Sequence, residues 1–169
     1  MAPSDPAPPA ARPGGGPHAA ADALTVRVDS FSYRAGGLPA DDAGHGGGFV
    51  FDCRSLPNPH WEEALRPLHG DEPPVMAFLA AQPAVAAFVA HAAALVLQAA
   101  RTYRADGRTR LMVACGCTGG RHRSVYVAAR LAEALRAAGI AVRLEHRDRD
   151  RPPEPPPAEP PAAPPADAP

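Results

Sequence analysis

Apolar and polar positions between residues 23 and 149 fall into stretches of distinct period. Leu24-Thr-Val-Arg-Val-Asp-Ser-Phe31 alternates, which predicts a strand with one buried face. The glycine-rich stretch Ala35 to Gly48 predicts a loop. Phe49-Val-Phe-Asp-Cys53 reads as a short strand, and the two prolines of Leu56-Pro-Asn-Pro-His-Trp61 predict an extended turn. Pro73 to Ala81 and Pro83 to Arg104 read as helices, each with a proline in its first turn, the second closing at Gly107. This longer, alanine-rich helix is expected to be buried in a soluble core, with His91 packed and hydrogen-bonded. Interrupted by His91 and Gln98, it falls short of the ~20 strongly apolar residues of a membrane span. Leu111-Met-Val-Ala-Cys-Gly116 lacks alternation, as a central strand buried on both faces does. Val125, Ala128, Ala129, Ala132 and Leu135 recur at helical spacing within Ser124 to Ala138, and Gly139 stands where a helix C-cap prefers it. Ile140 to His146 alternates again and completes a parallel, right-handed β-α-β crossover. The expected fold class is α/β: a small, mostly parallel sheet covered by helices, with a phosphate-binding loop at the C-terminal end of a strand.

Composition sets the limits of this domain. Of 23 prolines in 169 residues, six fall in residues 1–20 and ten in 151–169. The 1–22 Pro/Ala/Gly tail and the 150–169 Pro-rich tail hold too few large apolar side chains to offset the entropy of ordering, which leaves one domain over 23–149. Net charge is −1 for the chain, yet residues 23–149 carry 15 Arg against 12 Asp plus Glu. Lysine is absent, so every fixed positive charge is a guanidinium, a group suited to bidentate recognition of phosphate; most of this bias is what a high-GC genome would produce. Three cysteines make no disulfide framework and suggest a reducing compartment. The N-terminus carries no recognisable secretion signal, so a cytoplasmic location without a membrane partner is expected. Cys115, Cys117, His122 and His146 lack zinc-finger spacing, and neither metal nor cofactor is expected.

The densest chemistry lies in Gly116-Cys-Thr-Gly-Gly-Arg-His-Arg-Ser124, between the buried strand and the next helix. Gly119 and Gly120 allow successive N–H groups to converge, the helix dipole adds positive potential, and Thr118, Ser124, Arg121 and Arg123 supply further donors. The set fits a phosphate, and substitution of Arg123 by Ala or Gly119 by Val is expected to remove the ligand and leave the fold intact. A Walker A loop is excluded because it requires a lysine. An alternative reading is C-x5-R-[ST], a cysteine phosphatase loop with Cys117 as nucleophile, Arg123 on the phosphoryl oxygens and Asp52 as general acid. Gly116 stands where those enzymes usually carry histidine. The strand-end loop adds Asp52, Arg54, Asn58 and His60, a set that suits sugar hydroxyls and amines better than a nucleobase, which would call for an aromatic platform. Trp61 is expected to anchor the core. Arg143, His146, Arg147, Arg149 and Arg151, with Arg130 and Arg136, form a basic end that fits either nucleic-acid backbone or a solvated charged edge.

Four strings carry a resemblance: Phe51-Asp-Cys-Arg-Ser-Leu-Pro-Asn-Pro-His-Trp61, Leu65-Arg-Pro-Leu-His-Gly70, Gly116-Cys-Thr-Gly-Gly-Arg-His-Arg-Ser-Val125 and His146-Arg-Asp148. From about Val26 to Asp148 the chain resembles the C-terminal domain of the RapZ RNase adapter proteins, also described as the YvcJ nucleotide-binding family. The resemblance implies a stand-alone sensor and RNA-binding module rather than an enzyme. It implies binding of an amino-sugar phosphate, glucosamine-6-phosphate, and of small regulatory RNAs that are presented to an endoribonuclease, together with self-association into a homo-oligomer. Carried over by position, Cys117, Thr118, Gly119, Gly120, Arg121, His122, Arg123 and Ser124 would hold the phosphate. Asp52, Arg54, Asn58 and His60 would face the sugar, and Arg130, His146 and Arg147 would contact RNA. Full-length members carry an N-terminal kinase-like domain with a Walker A motif where this chain has a Pro/Ala/Gly tail. ATP or GTP binding is therefore not expected to transfer with the family name. The Gly-rich insertion between Leu38 and Phe49 is a further departure.

Overall fold

The alternating stretch Thr25–Ser32 forms β1, and Phe49–Asp52, Arg110–Cys117 and Ala141–His146 form β2, β3 and β4. A computed structural model describes residues 24–152 apart from 43, 45 and 46, so the tail expected over 1–22 and residues 153–169 of the one expected over 150–169 lie outside the described residues. The strands make one parallel sheet in the order β2-β3-β1-β4. Helices α1, Pro73–Ala80, and α2, Pro83–Ala105, connect β2 to β3, and α3, Arg123–Ala137, connects β3 to β4. The turn expected after β2 is two single turns of 3-10 helix, Cys53–Ser55 and Pro59–Trp61. Asp52 and Asn58 cap them, each side chain accepting the N–H two residues on.

Period two sorts the strand residues between the faces. Register pairs Val26 with Leu111, Val28 with Val113, Ser30 with Cys115 and Ser32 with Cys117. The apolar members of this set pack under the helices with Val75, Leu79, Val85, Val96, Leu131 and Leu135. Burial of each large aliphatic side chain contributes about 1.5–3 kcal/mol before conformational entropy is counted. On the opposite face Phe31, Met112 and Ala114 form a smaller cluster with Tyr33. That face is covered by the connection from β1 to β2. Both helical connections step across the sheet towards β4, whereas this one steps the other way, and crossovers of one hand that step in opposite directions lie on opposite faces. Arg27 holds it, donating to Ala40 O at 2.6 Å and pairing with Asp29 and Asp42. Arg110 adds a bond to Asp42 O at 3.2 Å. The described residues of this connection are thus the sheet's second cover, and β1, expected to bury one face, buries both.

Three expectations about burial are corrected. Trp61 is 76% exposed, because Leu56, with Leu65 and Leu68 of the following loop, fills the core beneath its turn. Its ring stands edge to face with that of His60, 5.9 Å between centroids. Helix α2 buries one stripe, Val85, Ala92, Ala93, Val96 and Ala100, and leaves His91 exposed with Leu95. It is long and apolar enough to cross a membrane by length and composition, with 28% of its most apolar stretch buried.

Candidate functional site

Parallel strands end on one edge, so the segments after β1, β2, β3 and β4 meet there. β3 runs through Thr118–His122 into α3, whose cap residue His122 makes no side-chain capping bond. The first-turn N–H groups of α3 therefore keep their donor capacity. Among the described residues no backbone acceptor takes the N–H of Gly119, Gly120 or His122. Gly120 holds φ at +68°, and a Cβ there would lie 3.0 Å from Ser32 N, Ser32 Cβ and Asp148 Cβ. Gly119 is exposed, and a Cβ on it would meet nothing within 4 Å. The loop is fixed from outside: Ser32 Oγ donates to Thr118 O at 2.8 Å, Gly70 N–H to Arg121 O at 2.9 Å, and Arg121 Nη1 to Pro67 O at 2.9 Å. Gly70 approaches so closely that a Cβ would stand 2.0 Å from His122 O.

Arg123 joins the two candidate loops. It is only 6% exposed, and its Nη1 donates to Arg54 O at 2.8 Å and Leu56 O at 3.1 Å, while Nε has no partner among the described residues. This guanidinium braces the strand-end loop from below. His122 is buried, with Nε2 3.2 Å from Leu65 O. A carbonyl can only accept, so Nε2 carries the proton, and burial holds the imidazole pKa below its ordinary value. Its ring lies 6.4 Å from that of His60. Asp52 and Arg54 form a bidentate pair, with Arg54 Nε at 2.9 and 3.0 Å from the two carboxylate oxygens. The Arg54 guanidinium also stacks 4.0 Å from the Tyr33 ring centroid. Hydrogen bonding from Arg54 lowers the Asp52 pKa, so the carboxylate stays ionised at the rim of the cradle. Asn58 Oδ1 accepts from His60 N–H at 3.4 Å, which fixes the turn.

Cys117 occupies the helix-covered face of β3. It is 3% exposed, and its Sγ lies 3.1 Å from Ser124 Oγ within the core. The sulfur and the hydroxyl thus meet inside the core rather than at the open mouth of the loop. Cys53 and Cys115 are likewise free and buried, and the neighbouring Cys115 thiol together with burial raises the Cys53 pKa well above its ordinary value.

The three residues proposed for RNA are held by different contacts. Arg130 pairs with Glu133 on α3, its guanidinium 5.6 Å from the Tyr126 ring, and lines a groove of about 470 Å³ with Ala80, Val85 and Val89 in the helical layer. Arg147 turns to the opposite face, 5.7 Å from the Phe31 ring, and donates to Ala35 O at 2.7 Å and Gly37 O at 2.8 Å. His146 Nδ1 is 2.9 Å from Ser30 Oγ, and burial lowers its pKa. Sequence reasoning did not single out Ser32, Tyr33, Gly70 or Asp148. Ser32 and Tyr33 stand outside the recognisable strings, while Gly70 and Asp148 stand in them with nothing local to mark a role.

A family model described as the RapZ C-terminal domain matches residues 24–150. A nucleotide-binding protein of Frankia casuarinae is 44% identical over 131 residues, which covers 78% of this chain and 43% of the relative. Another, from Laribacter hongkongensis, is 44% identical over 128 residues, 76% of this chain and 44% of the relative. A third, from Cupriavidus pinatubonensis, is 47% identical over 125 residues, 74% of this chain and 40% of the relative. The chain spans less than half the length of these curated relatives.

Proposed function

The chain belongs to the RapZ C-terminal domain family, and from that premise we propose that the Thr118–His122 loop binds the phosphate of an amino-sugar phosphate such as glucosamine-6-phosphate. The observation that carries the reading is the loop itself: N–H groups of Gly119, Gly120 and His122 that no backbone acceptor among the described residues takes, at the uncapped N-terminus of α3. Phosphate oxygens would accept these N–H groups, each charge-assisted bond adding about 1.5–3 kcal/mol in a partly dry site. Thr118 supplies a hydroxyl. On the sugar side the ionised Asp52 suits an ammonium group, and Asn58 and His60 suit hydroxyls. Arg123 serves the site by holding the 54–56 backbone against the loop.

In this reading the occupied loop reports a phosphorylated metabolite to a larger assembly. Small regulatory RNA, an endoribonuclease and further copies of the chain are its proposed partners, and the cytoplasm its proposed location. The relatives are named nucleotide-binding proteins, and nucleotides are the competing ligand class. Thermal unfolding against inorganic phosphate, glucosamine-6-phosphate, other hexose phosphates, ATP and GTP separates the two. Ligand at ~100 times its dissociation constant adds about 2.7 kcal/mol of stability. Stabilisation by sugar phosphates but not by nucleotides is the expected result. Stabilisation by nucleotides alone would overturn the assignment.

A further inference from the structure

We propose that Asp148 is a positioning residue for the phosphate loop, and that Arg147 acts through it as a brace rather than as an RNA contact. This deepens the reading above and rests on it for its ligand.

Asp148, two residues beyond β4, is 7% exposed. Its Oδ2 accepts from Ser32 N–H at 2.8 Å, from Arg147 Nε at 3.0 Å and from Arg147 Nη2 at 2.8 Å. Its Cβ packs against Gly120. Ser32, held by that bond, gives its own hydroxyl to Thr118 O, and the next N–H, Tyr33, donates to Cys117 O at 3.0 Å. The turn that enters the cradle is therefore tied to the end of β1, and the end of β1 is tied to Asp148. Two shared bonds and one close contact fix where the N–H groups of Gly119 and Gly120 point.

A buried carboxylate under an anion site carries two costs, its own desolvation and repulsion of a bound phosphate. Arg147 offsets both by pairing with it. The same guanidinium donates to Ala35 O and Gly37 O of the β1–β2 connection. Its Nε and Nη2 are thus engaged inside the protein, and these bonds define the brace. The arrangement also links the cover of the second face to the cradle through one side chain.

The test uses the full chain and the variants Asp148→Asn, Arg147→Ala, Arg147→Lys and the double Asp148→Asn/Arg147→Ala. Asp148→Asn keeps an acceptor for Ser32 and removes the charge pair. Glucosamine-6-phosphate affinity, measured by calorimetry, is expected to fall about tenfold or more in Asp148→Asn and in Arg147→Ala. Arg147→Lys is expected to recover part of the loss. The double variant is expected to be no weaker than the worse single one, because both act through one brace. Additive losses would overturn the proposal. So would an Arg147→Ala variant that loses RNA affinity and retains parental sugar-phosphate affinity.

A second readout needs no ligand. Amide exchange at Tyr33 is expected to quicken in Asp148→Ala, which removes the acceptor of Ser32 N–H, while exchange at Val113 in the centre of the sheet stays parental. Unchanged exchange at Tyr33 would refute the brace. If the parent binds no sugar phosphate, the ligand assignment fails, and exchange alone decides the brace.

Discussion

Two adjacent glycines separate binding from folding. Gly119 is exposed, its φ is not positive, and a Cβ there meets open space. Gly119→Val therefore adds a branched side chain at the mouth of the cradle without displacing any neighbour. Stability should stay within about 0.5 kcal/mol of the parent, as for other surface substitutions without special contacts. The isopropyl group occupies the approach to the N–H groups, and sugar-phosphate affinity should fall by about 100-fold, or roughly 2.7 kcal/mol. Gly120→Ala does the reverse. Its φ of +68° costs an L-residue about 1–2 kcal/mol. The 3.0 Å approach to backbone and Cβ atoms of Ser32 and Asp148 adds about 1 kcal/mol of overpacking. The sum of about 2–3 kcal/mol corresponds to a melting temperature lower by roughly 6–12 °C for a domain of this size. Calorimetric scans and isothermal titration with glucosamine-6-phosphate read both effects. Parental affinity in Gly119→Val would show that the ligand does not seat on this loop. A Gly120→Ala protein that melts with the parent would refute the conformational argument.

Arg123→Ala should destabilise rather than merely unload the site, contrary to the expectation from sequence. It strips the donor from Arg54 O and Leu56 O, and chemical denaturation should show a loss of about 2–4 kcal/mol; an unchanged midpoint would contradict the strut. His122 has a pKa lowered by burial, so between that lowered value and about 6.5 the unfolded chain binds more protons than the folded one. The stability it contributes is present above about pH 6.5 and is lost as pH falls through that window. The urea midpoint should therefore fall more steeply from pH 7.5 to 5.5 in the parent than in His122→Gln, and parallel curves would discard the assignment. Trp61 is the chain's one tryptophan, so its emission should match that of the unfolded protein and be quenched by iodide. A strongly blue-shifted, unquenched emission would mean that the turn packs into the core.

Local pattern was a good guide wherever an element's neighbours are close in sequence. Helices α1 and α2 begin at prolines, and α2 and α3 are followed by Gly107 and Gly139, because first-turn and C-cap positions favour those residues, and the unalternating β3 is central because apolar side chains on both faces need cover on both. The cradle was legible for the same reason, since glycines, hydroxyls and a helix start lie within seven residues. The fates of Trp61 and α2 were not. Whether an apolar side chain is buried depends on which other side chains compete for the same core volume, and here Leu56, Leu65 and Leu68 fill what Trp61 was expected to fill. His91 follows from the same competition, since α2 has more apolar circumference than the sheet and α3 can cover.

By itself, the sequence determined the family, the α/β class, the element boundaries to within a residue or two, and the strand-loop-helix string proposed here as a phosphate loop. Tertiary structure alone decided what each charged group does. Arg123, Arg147 and Asp148 are indistinguishable by type from solvated charges, and only their placement against carbonyls and N–H groups of distant segments turns them inward. Guanidinium and carboxylate side chains are long and their partners lie up to 116 residues away. A one-dimensional pattern carries periodicity and cap chemistry, whereas a hydrogen bond across the sheet edge exists only once the strands have set the distance.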